Sequence, residues 1–244
     1  MRVALSSAAC LICAALAAGA QPFPNVRVDS ESNSPEETSI GINPADPENL
    51  VGAAQTPPCR YYVSSDGGGI WSEGTLPDPY DLGDPAVVFD REGNVYYSYI
   101  GIWSHSGIFV NRSTDGGTTW WPAGTAIVEH DGAVPFEDKS YLVADWSGGP
   151  HHGSLYVGWT RFTDYGSGAP EDSTWIYIAR SRDRAVTFSE PLRISDRGGD
   201  AVDSDDTVEG AVPAVGPDSR VYVAWSGPRG IEFDRSEDGG DRFG

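Results

Sequence analysis

The chain has 244 residues, with 36 acidic against 16 basic side chains and a formal net charge of −20. A surface this acidic repels phosphate backbones and anionic lipid headgroups, which argues against nucleic acid and against an anionic membrane as partners. Only one lysine, Lys139, stands against that acidity.

The N-terminus opens on Met1-Arg2, runs through an apolar, alanine-rich stretch to Leu16, and reaches Ala18-Gly19-Ala20 before Gln21. A positive start, a short apolar core and an A-x-A site form the pattern of a secretory signal. The apolar run is short for a membrane span of about 20 residues. Cys10 and Cys13 lie inside it and not at its end, against a lipoprotein anchor. The expected organisation is a signal peptide at 1–20, an N-terminal extension at 21–35 and one folded domain at 36–244. The mature protein is expected to be secreted or periplasmic, and off the membrane once the signal is cleaved. Cleavage leaves Cys59 alone, so no internal disulfide can form, and Cys59 reads as a small buried hydrophobe.

Short β-branched and aromatic runs bounded by Gly, Pro, Asn and Asp then predict strands. They fall at 39–42, 50–54 and 59–64, then 86–89, 95–99 and 108–113, then 141–144, 155–159 and 176–181, and last 212–215, 221–225 and 231–236. Each third strand runs into the same turn, Ser-x-Asp-x-Gly-x-x-aromatic. Its four copies are Ser64 to Trp71, Ser113 to Trp120, Ser181 to Phe188 and Ser236 to Phe243. Glycine reaches positive φ without a Cβ clash, and the short aspartate can accept from backbone N–H groups just ahead. In the third copy Arg184 and Ala185 replace the glycines, so that turn must change geometry or accept strain. The aromatic opens a further strand and should pack between neighbouring sheets. Four antiparallel strands per repeat of roughly 50 residues make a propeller blade. The fold class predicted is therefore all-β, a β-propeller of four-stranded antiparallel blades with about four blades present. The sequence stops just after Phe243, which would leave the fourth blade without its outer strand. The expectation is a piece of a longer protein with a six- or seven-bladed ring.

The four turns and their strand context resemble the Asp-box (BNR) repeats of the sialidase superfamily, over about residues 36 to 243. The resemblance implies a propeller whose box aspartates, Asp66, Asp115, Asp183 and Asp238, are structural and whose ligand pocket lies at the opposite, top face. Blade logic builds that face from segments 56–59, 76–84, 101–107, 128–138, 162–174 and 195–209. The family's catalysis uses three arginines on the substrate carboxylate, a tyrosine nucleophile with a glutamate partner, and an aspartate acid/base. Arg27, in Val26-Arg27-Val28, is the nearest match to the first arginine motif. Gly83-Asp84-Pro85 resembles the family's Gly-Asn-Pro stretch. Arg161 and Arg229 are the other arginines placed near the top.

The innermost strands begin with Glu37, Asp84, Asp138 and Glu209, at what read as matching positions converging on the central channel. A ring of carboxylates there can bind a cation, accept from sugar hydroxyls or supply an acid/base pair; the alternative is that it caps strand starts or holds water. No metal-ligating set is assigned. Calcium stays open as a cofactor, although Asp203 and Asp205 lack the glycine of a calcium loop and the segment Asp200 to Glu209 reads as solvated. His151 and His152 fall at the other end, with no third ligand in sight. Tyr80, Trp103, His105 and Tyr165 are top-face aromatics able to stack on a sugar. The top loops hold many carboxylates and few arginines, a potential that opposes an anionic sugar. Two functions follow: a secreted propeller binding a glycan, a cation or a surface protein at its top face without catalysis, or an exo-sialidase-type glycoside hydrolase completed by further C-terminal blades.

Overall fold

The structure is a computed structural model that describes residues 25–30, 34–56, 60–77, 82–102 and 104–244. The leader at 1–20, Cys59, Tyr80 and Trp103 lie outside the described residues.

The described chain is all-β. Sheet one contains β1 (Glu36–Ile42), β2 (Leu50–Gln55), β3 (Arg60–Ser64) and β4 (Ser72–Thr75). Sheet two contains β5 (Leu82–Phe89), β6 (Val95–Gly101), β7 (Gly107–Ser113) and β8 (Thr125–Glu129). Sheet three contains β9 (Phe136–Ala144), β10 (Leu155–Phe162), β11 (Thr174–Ser181) and β12 (Leu192–Arg193). The last contains β13 (Glu209–Val215), β14 (Val221–Gly227) and β15 (Gly230–Ser236). Each is an antiparallel meander in sequence order. The first strands contact one another in succession, β1 to β5 to β9 to β13, so they form the inner wall and the later strands radiate outward.

Burial follows from the two-residue period of a strand, which sends successive side chains to opposite faces. In β6 every residue is buried. Tyr97 and Tyr99 face sheet one, within the cluster that holds Val51, Ala53, Phe89 and Phe109. Tyr96 and Ile100 face sheet three, beside Leu155, Val157 and Trp159. A third cluster joins sheets three and four through Tyr156, Ile178, Val221, Val223 and Trp225. The core is thus three apolar layers between blades, and the middle strands of the inner blades, β6 and β10, are the most completely buried.

The four boxes share one hydrogen-bond pattern. The serine hydroxyl donates to the aspartate (Ser64 to Asp66 at 2.9 Å, Ser113 to Asp115 at 2.7 Å, Ser181 to Asp183 and Ser236 to Asp238 at 2.8 Å). That hydroxyl also accepts from the backbone N–H four residues on, at Gly68, Gly117, Ala185 and Gly240. The aspartate caps a further N–H, at Ile70, Thr119, Thr187 and Arg242. The degenerate copy settles the choice left by its sequence: Arg184 and Ala185 take φ of 61° and 59°, so the turn keeps the shared geometry and accepts the strain. Three of the four aromatics pack between sheets as expected, but the aromatic does not itself open the next strand: β4, β8 and β12 begin at Ser72, Thr125 and Leu192, after Trp71, Trp120 and Phe188. Trp120 lies 5.3 Å from Tyr61 and 5.9 Å from Tyr97 between ring centroids, and Phe188 and Phe243 join the second and third layers.

Candidate functional site at the channel mouth

The boxes and the inner-strand starts lie at opposite ends of the blades. Ser64, Ser113, Ser181 and Ser236 pair with the first residues of β2, β6, β10 and β14. Glu36, Gly83, Asp138 and Glu209 pair with or near the last residues of those same strands.

Every inner strand is broken by a β-bulge near its start. Pairing skips two residues between Glu36 and Ser39, between Gly83 and Ala86, between Asp138 and Tyr141, and between Glu209 and Val212. The first residue of each bulge is left-handed: Glu37 at φ 53°, Asp84 at 45°, Lys139 at 51° and Gly210 at 75°. This corrects the matching read from sequence. Glu37 and Asp84 are equivalent to Lys139 and Gly210, whereas Asp138 and Glu209 sit one position earlier, beside Glu36 and Gly83. The shift arises because a bulge adds a residue that periodicity alone does not reveal.

A bulge frees a backbone N–H from the ladder, and a buried N–H needs a partner. Here the preceding blade supplies it. Asp84 N–H donates to Gln55 Oε1 at 3.0 Å, Lys139 N–H to Asp84 Oδ2 at 3.1 Å, and Gly210 N–H to Thr160 Oγ1 at 3.1 Å. The inner ring is thereby stitched blade to blade at its top. Lys139 also extends its ammonium to Glu37, joining blade three to blade one across blade two. Non-glycine residues at positive φ cost roughly 1–3 kcal/mol each and cluster where side chains must be held in one direction.

Asp84 and Asp138 meet as a hydrogen-bonded pair. Both titrate above the ordinary carboxylate range. For Asp138 burial is the main cause, the Asp84 charge adds to it, and its pKa rises to about 8. For Asp84 burial also dominates, opposed by the hydrogen bond from Asp138. Burial and the mutual repulsion of two carboxylates therefore favour a protonated pair, with the larger rise at Asp138. Glu209 is also raised, by burial and then by the Asp203 charge. The four sequence candidates thus lie in one neighbourhood, with Glu37 turned to Lys139.

These aspartates line a cavity of about 450 Å³. Its lining combines apolar side chains, Ile100, Ile102, Val134 and Phe136, with the polar Gln55, Asp84, Asp138 and Asp164. Tyr165 stands at the rim, half exposed, its ring 5.3 Å from Phe136 and 4.9 Å from Phe162. Its hydroxyl donates to Asp203 at 2.8 Å, and that bond is the first cause of a phenol pKa raised to about 12. Below the site Glu137 is fully buried and accepts from Trp159 Nε1 and Arg161 Nε, both at 2.6 Å, and contacts His130 Nε2 at 2.8 Å. Arg161 also lies over the Tyr177 ring at 4.3 Å, so it braces the floor and does not reach into the cavity.

Other sequence candidates fall elsewhere. Arg27 pairs with Asp29, and Arg229 with Glu232. His152 contacts Glu92 at 3.2 Å at the box end, and His151 borders Gly239 there. His105 bonds Ser104. In the acidic segment, Asp200 accepts from Ser204 and Thr207, which folds that loop onto itself. Among the described residues no group of three or more His, Cys, Asp or Glu is arranged to hold a metal ion. Sequence reasoning missed Gln55, Phe136 and the role of Lys139. The last had a signal: the chain's single lysine sits beside Asp138.

No family model and no curated protein matches the sequence. Solved structures do match the fold. Hadza microbial sialidase Hz136 superposes with a TM-score of 0.57 at 14% identity, over 86% of this chain and 45% of that one. A protein of unknown function from Dyadobacter fermentans DSM 18053 gives 0.58 at 16%, over 86% and 67%. A thermostable family-43 glycoside hydrolase gives 0.54 at 13%, over 83% and 69%. The chain spans less than half the length of the first of these. At such identities the likeness establishes the fold, a β-propeller of the kind found in glycoside hydrolases.

Proposed function

We propose that the chain is an Asp-box propeller of the sialidase type that binds a saccharide in the channel-mouth cavity. The observation that carries this is that one cavity is lined both by the Asp84–Asp138 pair and by the apolar side chains of Ile100, Ile102, Val134 and Phe136. A sugar ring presents an apolar C–H face and a rim of hydroxyls, so it asks for a flat apolar surface opposite groups that both donate and accept. A pair of carboxyls that shares a proton offers both. The propeller neighbours that act on glycans support the reading at the level of fold.

Hydrolysis is the second reading, favoured by one observation: Asp138 keeps its proton near neutral pH, as a general acid must. The geometry weighs against these two residues being the whole catalytic set. A retaining pair stands about 5–5.5 Å apart and an inverting pair further, whereas Asp84 and Asp138 are in direct hydrogen-bond contact. No arginine lines the cavity among the described residues, so a sialoside carboxylate lacks its forked partner there.

A glycan array followed by calorimetry, with Asp84→Asn and Asp138→Asn alongside, tests the proposal. Saccharide binding weakened about tenfold or more by either substitution is expected. Absence of binding, or binding indifferent to both, overturns it. Turnover of fluorogenic glycosides by the wild-type chain, lost in Asp138→Asn, would replace binding with hydrolysis.

A further inference from the structure

We infer that the saccharide carries a protonated amine and presents it to Asp84 and Asp138, which makes the ligand class an amino sugar with a free amine. The inference rests on the saccharide-binding reading and narrows it.

The argument is an electrostatic account of the cavity. Its charged lining is acidic throughout, comprising Asp84, Asp138 and Asp164. Further negative charge reaches it from neighbouring elements: Glu37 on β1 acts on Asp84, Glu209 on β13 acts on the lining residue Tyr165, and the Tyr165 hydroxyl already donates to Asp203. The cations nearby are committed: Lys139 to Glu37, Arg161 to the fully buried Glu137. Gln55 accepts from Asp84 N–H, so its oxygen is spoken for too. The cavity is rich in acceptors and short of positive charge. The proton shared by the aspartates occupies the place that a ligand cation would take.

An ammonium group brings three donors and a full charge, where a hydroxyl brings one donor. On binding, Asp138 loses its proton to solvent, and the ammonium bridges two carboxylates. The carbon face of the ring meets Ile100, Ile102 and Phe136. A uronic acid or a sialic acid is repelled by the same charges, and an N-acetyl group neither supplies the charge nor triggers proton release.

Isothermal calorimetry of the full chain at about pH 5.5, where sugar amines are already protonated, in two buffers of different ionisation enthalpy, tests this with a glucosamine tetramer, its fully N-acetylated form, cellotetraose and a galacturonic acid tetramer. The glucosamine tetramer should bind at least about tenfold tighter than the others and release a proton, read as a buffer-dependent heat. Asp138→Asn should abolish both the release and the preference. That variant barely alters the acidity of the surface, so non-specific attraction of a polycation would survive it. Asp84→Asn provides a second variant should Asp138→Asn fold poorly, and spermine serves as a cation without a sugar body. Equal or tighter binding of neutral or acidic oligomers, equal binding of spermine, or a preference unmoved by both variants overturns the inference while leaving a saccharide site. Failure of every oligomer to bind overturns the saccharide reading as well.

Discussion

The backbone N–H of Lys139 donates to Asp84 Oδ2 at 3.1 Å, so the carboxylate best placed to meet a ligand also closes the bulge of the next blade. Asp84 in turn rests its own bulge N–H on Gln55. Site and scaffold share atoms at the channel mouth. Substitutions there should be read with a stability measurement beside every binding measurement.

The first prediction concerns pH. Asp138 titrates at about 8 in the folded protein against 3.8 for an ordinary aspartate. The folded state therefore holds a proton that the unfolded chain releases, and the stability this contributes is full below about pH 4 and is lost as pH rises toward 8. Asp138→Asn should remove that dependence. Its melting temperature relative to wild type should climb steadily across the window. The box carboxylates act with the opposite sign. Hydrogen bonds hold Asp66 and Asp238 below the usual range, and Asp115 and Asp183 are lowered by theirs against an opposing burial effect. Their contribution is present above about pH 4 and lost in acid, in both proteins. A variant whose alkaline limb parallels that of wild type would contradict the assignment of the proton to Asp138.

The second concerns the degenerate box. Arg184 is exposed and left-handed at φ 61°, and its carbonyl, not its side chain, accepts from Arg112. Arg184→Gly should raise stability by about 0.5–1 kcal/mol, since removal of the Cβ penalty outweighs the entropy glycine adds to the unfolded chain. Gly117→Ala should do the reverse in an intact box. Its φ is 90°, and a Cβ there would stand 2.6 Å from Val51 Cγ2. A loss of about 2 kcal/mol or more is expected. Urea denaturation measures both, and stabilisation by Gly117→Ala would disprove the shared turn geometry.

A third prediction addresses the floor. Glu137 has no exposed surface and three charged or polar partners, Trp159, Arg161 and His130. Glu137→Ala should cost about 3–5 kcal/mol, because it strands the Arg161 guanidinium in a buried setting. Glu137→Gln keeps the shape and one acceptor and should cost less. Chemical denaturation of the two variants gives the comparison, and equal losses would show that charge at Glu137 is immaterial.

The amino-acid sequence by itself determined the architecture. The Ser-x-Asp-x-Gly turn is a local object: its hydrogen bonds run between residues two to four apart, from Ser113 to Asp115 and from Thr119 to Asp115, so its residues announce it wherever it occurs. The strands were legible for the same reason, as β-branched and aromatic runs such as Val95 to Gly101, which are buried on both faces. What only the tertiary structure decided was the site. The bulges that put the Lys139 N–H on Asp84 are set by pairing with another strand, and the acceptors for the freed N–H groups of Asp84, Lys139 and Gly210 come from the blade before each. The proton on Asp138 depends on burial and on a charge 54 positions away in the chain, at Asp84. Local chemistry writes a turn or a strand into a few consecutive residues. A binding site made where separate blades converge is written only in their distances through space.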